Sequence, residues 1–254
     1  MKKHLLILAT FLSILMMNPI YLIAEESANG PSQTAASDDL SKFGCNPPAT
    51  ELLQKGKNYL AKGLYKQAVM EYSNAVQADP KCAIAYYSTA TTSQGMLLQM
   101  DPNNSAAIDE ILANLDKSIE IEPKFALAYM GRGYTYLISG NVDKAISEFS
   151  QALELGEKND TGNVYQVIDA GEVYYQRGYA YTLKNDQDKA INDLTKAIEK
   201  DPNSGKAYMM RSNAYYYTKA NQDKAWEDLQ KAESLGEKTD ALWAQDLTQQ
   251  FKKQ

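Results

Sequence analysis

Two cysteines, a single histidine and 32 carboxylates are the groups in this chain that could do chemistry. The histidine is His4, in the first few residues. If that segment is removed or sits in a membrane, the body has no imidazole to act as a base or a metal ligand. Cys45 and Cys82 then have no histidine to activate a thiolate nucleophile. The sequence contains no G-x-S-x-G, no H-E-x-x-H, no phosphate-binding glycine loop and no dinucleotide fingerprint. Asn185-Asp186-Gln187-Asp188 offers oxygens in the manner of a calcium loop, but it lacks that loop's glycine and terminal Glu and reads as a turn. A carboxylate pair could in principle hydrolyse a substrate by acid/base chemistry, although acids on helices ordinarily form a solvated face. The expectation is a non-enzyme with no catalytic residue, no cofactor and no metal.

Tyrosine is the unusual component, 18 residues against 5 Phe and 2 Trp. Its chemistry is contact: a large amphipathic surface at low cost in side-chain entropy. A net charge of −6 and a pI near 5.0 argue against a nucleic-acid partner. With 44% hydrophobic and 23% charged residues, the 254-residue chain falls in the globular range, with one or two domains.

The tyrosines recur in register. Ala128-Tyr129-Met130-Gly131-Arg132-Gly133-Tyr134-Thr135-Tyr136 has counterparts in Val173–Tyr181 and Ala207–Tyr215. Lys144-Ala145-Ile146, Lys189-Ala190-Ile191 and Lys224-Ala225-Trp226 follow at similar intervals, and Asp79-Pro80, Glu122-Pro123 and Asp201-Pro202 end units. Tyr129, Arg132, Gly133 and Tyr136 lie at i, i+3, i+4 and i+7, one stripe of a helix. Ala145, Phe149 and Ala152 make a second stripe after the Gly140-Asn141 turn. Small residues stand where two helices must approach, and the acid-Pro steps end the second helix. Such units bury their apolar faces only by stacking.

These residues resemble the tetratricopeptide repeat, a 34-residue helix-turn-helix unit. Its pattern of bulky, small, aromatic, Ala, aromatic, Ala and Pro residues falls on Tyr129, Gly133, Tyr136, Ala145, Phe149, Ala152 and Glu157. The next unit has Tyr174, Gly178, Tyr181, Ala190, Leu194, Ala197 and Pro202, the first Leu52, Gly56, Tyr59, Ala68, Tyr72, Ala75 and Pro80. The fifth carries Tyr208, Ser212, Tyr215, Ala225, Leu229, Ala232 and Glu237, and the second is the weakest, with Tyr86, Ala90, Ile111, Leu115, Ser118 and Pro123. The resemblance implies an all-α superhelical solenoid of about five repeats, at 49–82, 83–125, 126–159, 171–204 and 205–238, with a capping helix over 239–254. It also implies a concave groove lined by the first helices, where a protein or peptide partner lies. Carried over by position, the groove residues are Leu53, Lys57, Tyr87, Thr91, Met130, Tyr134, Tyr175, Tyr179, Met209, Asn213 and Tyr216. Several of these tyrosines could instead pack between repeats. Family members that grip acidic C-terminal peptides cluster Lys, Arg and Asn, whereas Lys57, Lys206 and Asn213 are scattered here. Arg132, Arg177 and Arg211, at one repeat position, are expected to be structural, with their heads paired to acids.

Two spacings exceed the repeat length. Ala145 and Ala190 are 45 residues apart, with extra residues around 160–170, and Pro80 and Pro123 are 43 apart, with extra residues around 96–107. These insertions either merely lengthen the units or shape a partner-specific edge. Cys45 precedes the first helix and Cys82 follows the second, ends that adjoin in an antiparallel pair. They are either a disulfide outside the cytoplasm or two partly buried thiols.

Residues 1–24 have a basic start and an apolar run, the form of an export signal, with an uncleaved membrane anchor as the rival. Either way the remainder is exported: periplasmic, secreted or anchored outside the cytoplasm. Residues 25–48 read as a flexible linker. The low His content, the Lys/Asn/Ile usage and the signal form suggest a bacterium. The functional expectation is a protein-binding adaptor or assembly scaffold, with no nucleic-acid partner and membrane contact only through the N-terminal segment. A self-associating homo-oligomer and, from another class, a carboxylate hydrolase are the alternatives.

Overall fold

The computed structural model describes residues 40–252 apart from 102, 160, 161, 220 and 240, and of Gln99 only the backbone. The signal or anchor expected at 1–24, and most of the linker, lie outside the described residues.

The described residues form eleven α-helices and two 3-10 turns, with no strand. The helices are α1 (Pro47–Leu60), α2 (Tyr65–Ala78), α3 (Ala83–Met100), α4 (Ser105–Ile121), α5 (Ala126–Ile138), α6 (Val142–Glu157), α7 (Ala170–Leu183), α8 (Gln187–Lys200), α9 (Gly205–Thr218), α10 (Gln222–Ser234) and α11 (Leu242–Lys252). Short turns occupy Leu40–Phe43 and Val164–Gln166. The chain divides into two compact units: 40–131 with 162–167, and 132–159 with 168–252.

Recurring side chains start and stop these helices. Asn46, Asn104, Asn141, Asp169, Asp186 and Asn221 each stand before a helix and accept a bond from a backbone N–H in its first turn. Asp79, Glu122 and Asp201 leave the helical region just before a proline, where helical backbone is sterically disfavoured. Each of these acids then accepts a bond from the N–H two residues on, which sets the entry to the next helix.

Paired helices meet over matched residues. A Cβ on Gly133 would lie 2.7 Å from the Phe149 ring, and one on Gly178 would lie 2.9 Å from Leu194 Cγ. Gly56 faces Tyr72 in the same way. In the fifth pair the position is Ser212, whose buried hydroxyl donates to Ala225 O at 2.6 Å. In the second unit α11 covers the last pair: Trp243, Ala244 and Leu247 join Ala225 and Leu229, and Trp226 stacks on Phe251 at 5.3 Å.

The segment expected to be a flexible linker is built into the fold over its last residues. Leu40 and Phe43 are buried in a turn packed on α1, and Cys45 is disulfide-bonded to Cys82. Asn46 N–H donates to Asp79 Oδ2 and its side-chain amide donates to Ala78 O, both at 2.8 Å. Local composition misses this order because Phe43 finds its partners far along the chain.

Candidate functional site

The residues assigned to the groove separate into two kinds once their surroundings are known. Leu53, Tyr134 and Asn213 are buried, at 1%, 6% and 4% exposure. Lys57, Tyr87, Thr91, Met130, Tyr175, Tyr179, Met209 and Tyr216 are half-buried.

Leu53, Lys57, Tyr87, Thr91 and Met130 belong to the first unit. Tyr87 packs its ring 5.0 Å from that of Phe125, and Thr91 donates to the Tyr87 carbonyl. Burial pushes the Tyr87 phenol up to about 12. Leu53 is core, so it offers no contact area to a partner.

In the second unit the centre of the first-helix face is Glu172, which sequence reasoning did not single out. Tyr134 donates its hydroxyl to Glu172 Oε1 at 3.0 Å, and Gln176 Nε2 donates to the same oxygen at 2.7 Å. Lys206 Nζ pairs with Glu172 Oε2 at 2.6 Å and lies 4.9 Å from the centre of the Tyr175 ring. Burial, with the Glu172 charge as a smaller contribution, drives the Tyr175 phenol far above its ordinary value. A signal for this hub exists in the sequence: Glu172, Tyr175, Gln176 and Tyr179 share one helical stripe.

Tyr134 is therefore an internal bracket for Glu172, and its ring also meets Phe149 edge-on at 5.5 Å. Tyr216 holds the capping helix, donating to Asp246 at 2.7 Å with its ring 6.1 Å from Trp243. Met209 packs against the Trp243 cluster. Tyr179 stays half-buried, its phenol pushed up to about 12 by burial. Asn213 differs from all of these, because its Oδ1 is buried and accepts no hydrogen bond.

The repeated arginines form a ladder. Arg132 bonds Glu148 at 2.8 and 3.0 Å. Arg177 grips Asp193 with two bonds at 2.7 and 2.9 Å and donates a third to Ser150 Oγ of the preceding pair. Arg211 repeats this on Asp228 and Thr195. Asp193 and Asp228 are buried, so each bidentate pair locks a first helix onto its second helix. No group of three His, Cys, Asp or Glu among the described residues could hold a metal ion. Asn185 at φ 60° and Asp186, which caps the helix, form the turn into α8, and Gln187 and Asp188 lie in its first turn.

Helix pairs of this geometry, with small residues at the crossing and a polar first-helix face, define an all-α repeat protein. Tetratricopeptide repeat models match residues 52–82, 126–159 and 171–204. The chain therefore carries tetratricopeptide repeats over these segments. DnaJ homolog subfamily C member 3 of Bos taurus is 32% identical over 114 residues, which are 45% of this chain and 21% of that protein. The chain thus spans about a fifth of the length of that curated relative. Among solved structures, PilF of Pseudomonas aeruginosa superposes with a TM-score of 0.65 at 16% identity, over 82% of this chain and 86% of that one. YrrB, described as a TPR protein with an unusual peptide-binding site, gives 0.56 at 17% identity, over 86% and 98%. At such identities the likeness to solved structures concerns the fold. No helix among the described residues is long and apolar enough to cross a membrane.

Proposed function

We propose that this protein is a non-enzymatic adaptor, exported to the cell envelope or beyond it. In this reading the first-helix face of the second unit binds a partner's peptide segment, with Tyr179 and Asn213 as its contacts. The observation that carries the reading is Asn213. A buried amide oxygen without a donor costs about 1–3 kcal/mol, a cost that a donor brought by a partner would remove. A peptide backbone N–H has the right chemistry, and it meets Oδ1 once the Asn213 side chain, 4% exposed in this structure, turns outward. Tyr179 adds apolar area with a polar tip, and the neutralised Glu172–Lys206 pair leaves the face without a strong charge preference.

The test compares residues 25–254 as bait with the same bait carrying Tyr179→Ala and Asn213→Ala, in solubilised envelope extract. Tyr134 is left intact because its hydroxyl serves Glu172. A partner held by the intact bait and lost by an equally stable double variant is the expected result. Retention by both places binding elsewhere. Asn213→Ala alone should leave stability unchanged or raise it by up to about 1 kcal/mol in urea unfolding, because it removes an unpaired acceptor.

A further inference from the structure

Tyr165 sits on the 3-10 turn Val164–Gln166, in the insertion that stretches the repeat spacing from 34 to 45 residues. This short strap, residues 162–167, belongs to the first unit, although the residues on either side of it belong to the second. Its phenol donates to the Phe43 carbonyl at 2.6 Å, across 122 residues of sequence. The Tyr165 ring meets Phe43 edge-on at 5.1 Å and Phe125 edge-on at 4.9 Å.

The receiving surface is also held by contacts outside the strap. Phe43 and Phe125 are buried, with ring centres 6.4 Å apart. The chain next to Phe43 is clamped by the Cys45–Cys82 disulfide and by the two bonds between Asn46 and the end of α2. Two rings and one aimed carbonyl therefore form a seat whose parts come from the N-terminal turn and the repeats. The residues that fill it are additional to the repeat.

We propose that this seat is a binding site for a tyrosine-bearing segment, and that residues 162–167 are its built-in ligand. A partner of the same chemistry, a tyrosine in a short turn flanked by β-branched residues, competes with the strap for the seat. The phenol is the specifying group, because only a hydroxyl reaches the Phe43 carbonyl. Tethering gives the strap an effective concentration of about millimolar, so an external segment enters only weakly while the strap is in place. The strap thus sets a threshold for occupancy. This site is separate from the second-unit face proposed above, and either can fail without the other.

A labelled peptide spanning residues 162–168 is titrated into the oxidised full-length protein and into its Tyr165→Ala variant, read by fluorescence anisotropy. The variant should bind at least tenfold more tightly than the wild type. A peptide with Phe in place of Tyr should lose at least fivefold on the variant. Equal binding by both proteins, or none by a variant of unchanged helicity, overturns the proposal. Should Tyr165→Ala disturb the fold, the wild type still decides: excess peptide should speed amide hydrogen exchange at Gln166 and Val167, and unchanged exchange overturns the idea.

Discussion

Arg177 and Asp193 show how much one side chain can matter inside a repeat. The aspartate is buried and receives two of the guanidinium's bonds, so removing it leaves a half-buried cation without its counter-charge. Asp193→Ala should cost about 3–5 kcal/mol in urea unfolding. Replacing both partners by apolar residues of similar size, Arg177→Met with Asp193→Leu, should recover most of that loss, because no charge is then stranded. A double variant as unstable as the single would show that the pair matters through Ser150 instead. The pairing of these arginines was legible from their recurrence. Which acid each one meets was not, since Arg177 and Asp193 are 16 residues apart and meet only when α7 and α8 fold together.

At the scale of helices, the crossing of each pair is a matter of matched sizes. Gly56 and Gly133 stand opposite the rings of Tyr72 and Phe149. Ala90 and Ser212 occupy the same repeat position in the pairs that carry Leu115 and Leu229 on the second helix. Both rings face a glycine, whereas the leucines face Gly178 in one pair and Ala90 or Ser212 in the others. Gly133→Ala drives a Cβ into a fully buried ring that is itself held edge-on by Tyr134. Overpacking of about 1–3 kcal/mol should outweigh the gain of up to about 1 kcal/mol in helix propensity. Adding Phe149→Leu to Gly133→Ala should cost less than the sum of the two single changes, a coupling measurable in a double-mutant cycle by thermal unfolding. Simple additivity would mean that α5 and α6 shift apart instead.

For the whole molecule, the high tyrosine content becomes a pH limit. Burial pushes the phenols of Tyr87, Tyr165 and Tyr179 up to about 12, from 10.0 in an unfolded chain. Between these values the unfolded chain sheds protons that the folded one keeps. The stability these rings contribute is therefore complete below pH 10 and is lost as pH rises towards 12. Alkaline titration should show tyrosinate absorbance lagging the ordinary curve and then rising together with loss of helicity. A curve matching free tyrosine while helicity persists would contradict the burial of these rings.

The repeat class, the helix pairs and the disposition of small and bulky residues were legible in the sequence, because these follow from local periodicity repeated several times over. It also carried the capping helix and the structural reading of the arginines. Tertiary structure decided which face residues are spent inside the fold: Tyr134 on Glu172, Tyr216 on Asp246, and Leu53 in the core. It likewise decided that residues 40–46 and 162–167 are part of the first unit. A repeat pattern states which side of a helix a residue occupies. It does not state what arrives on that side from 122 residues away, and the Tyr165–Phe43 contact depends on such an arrival.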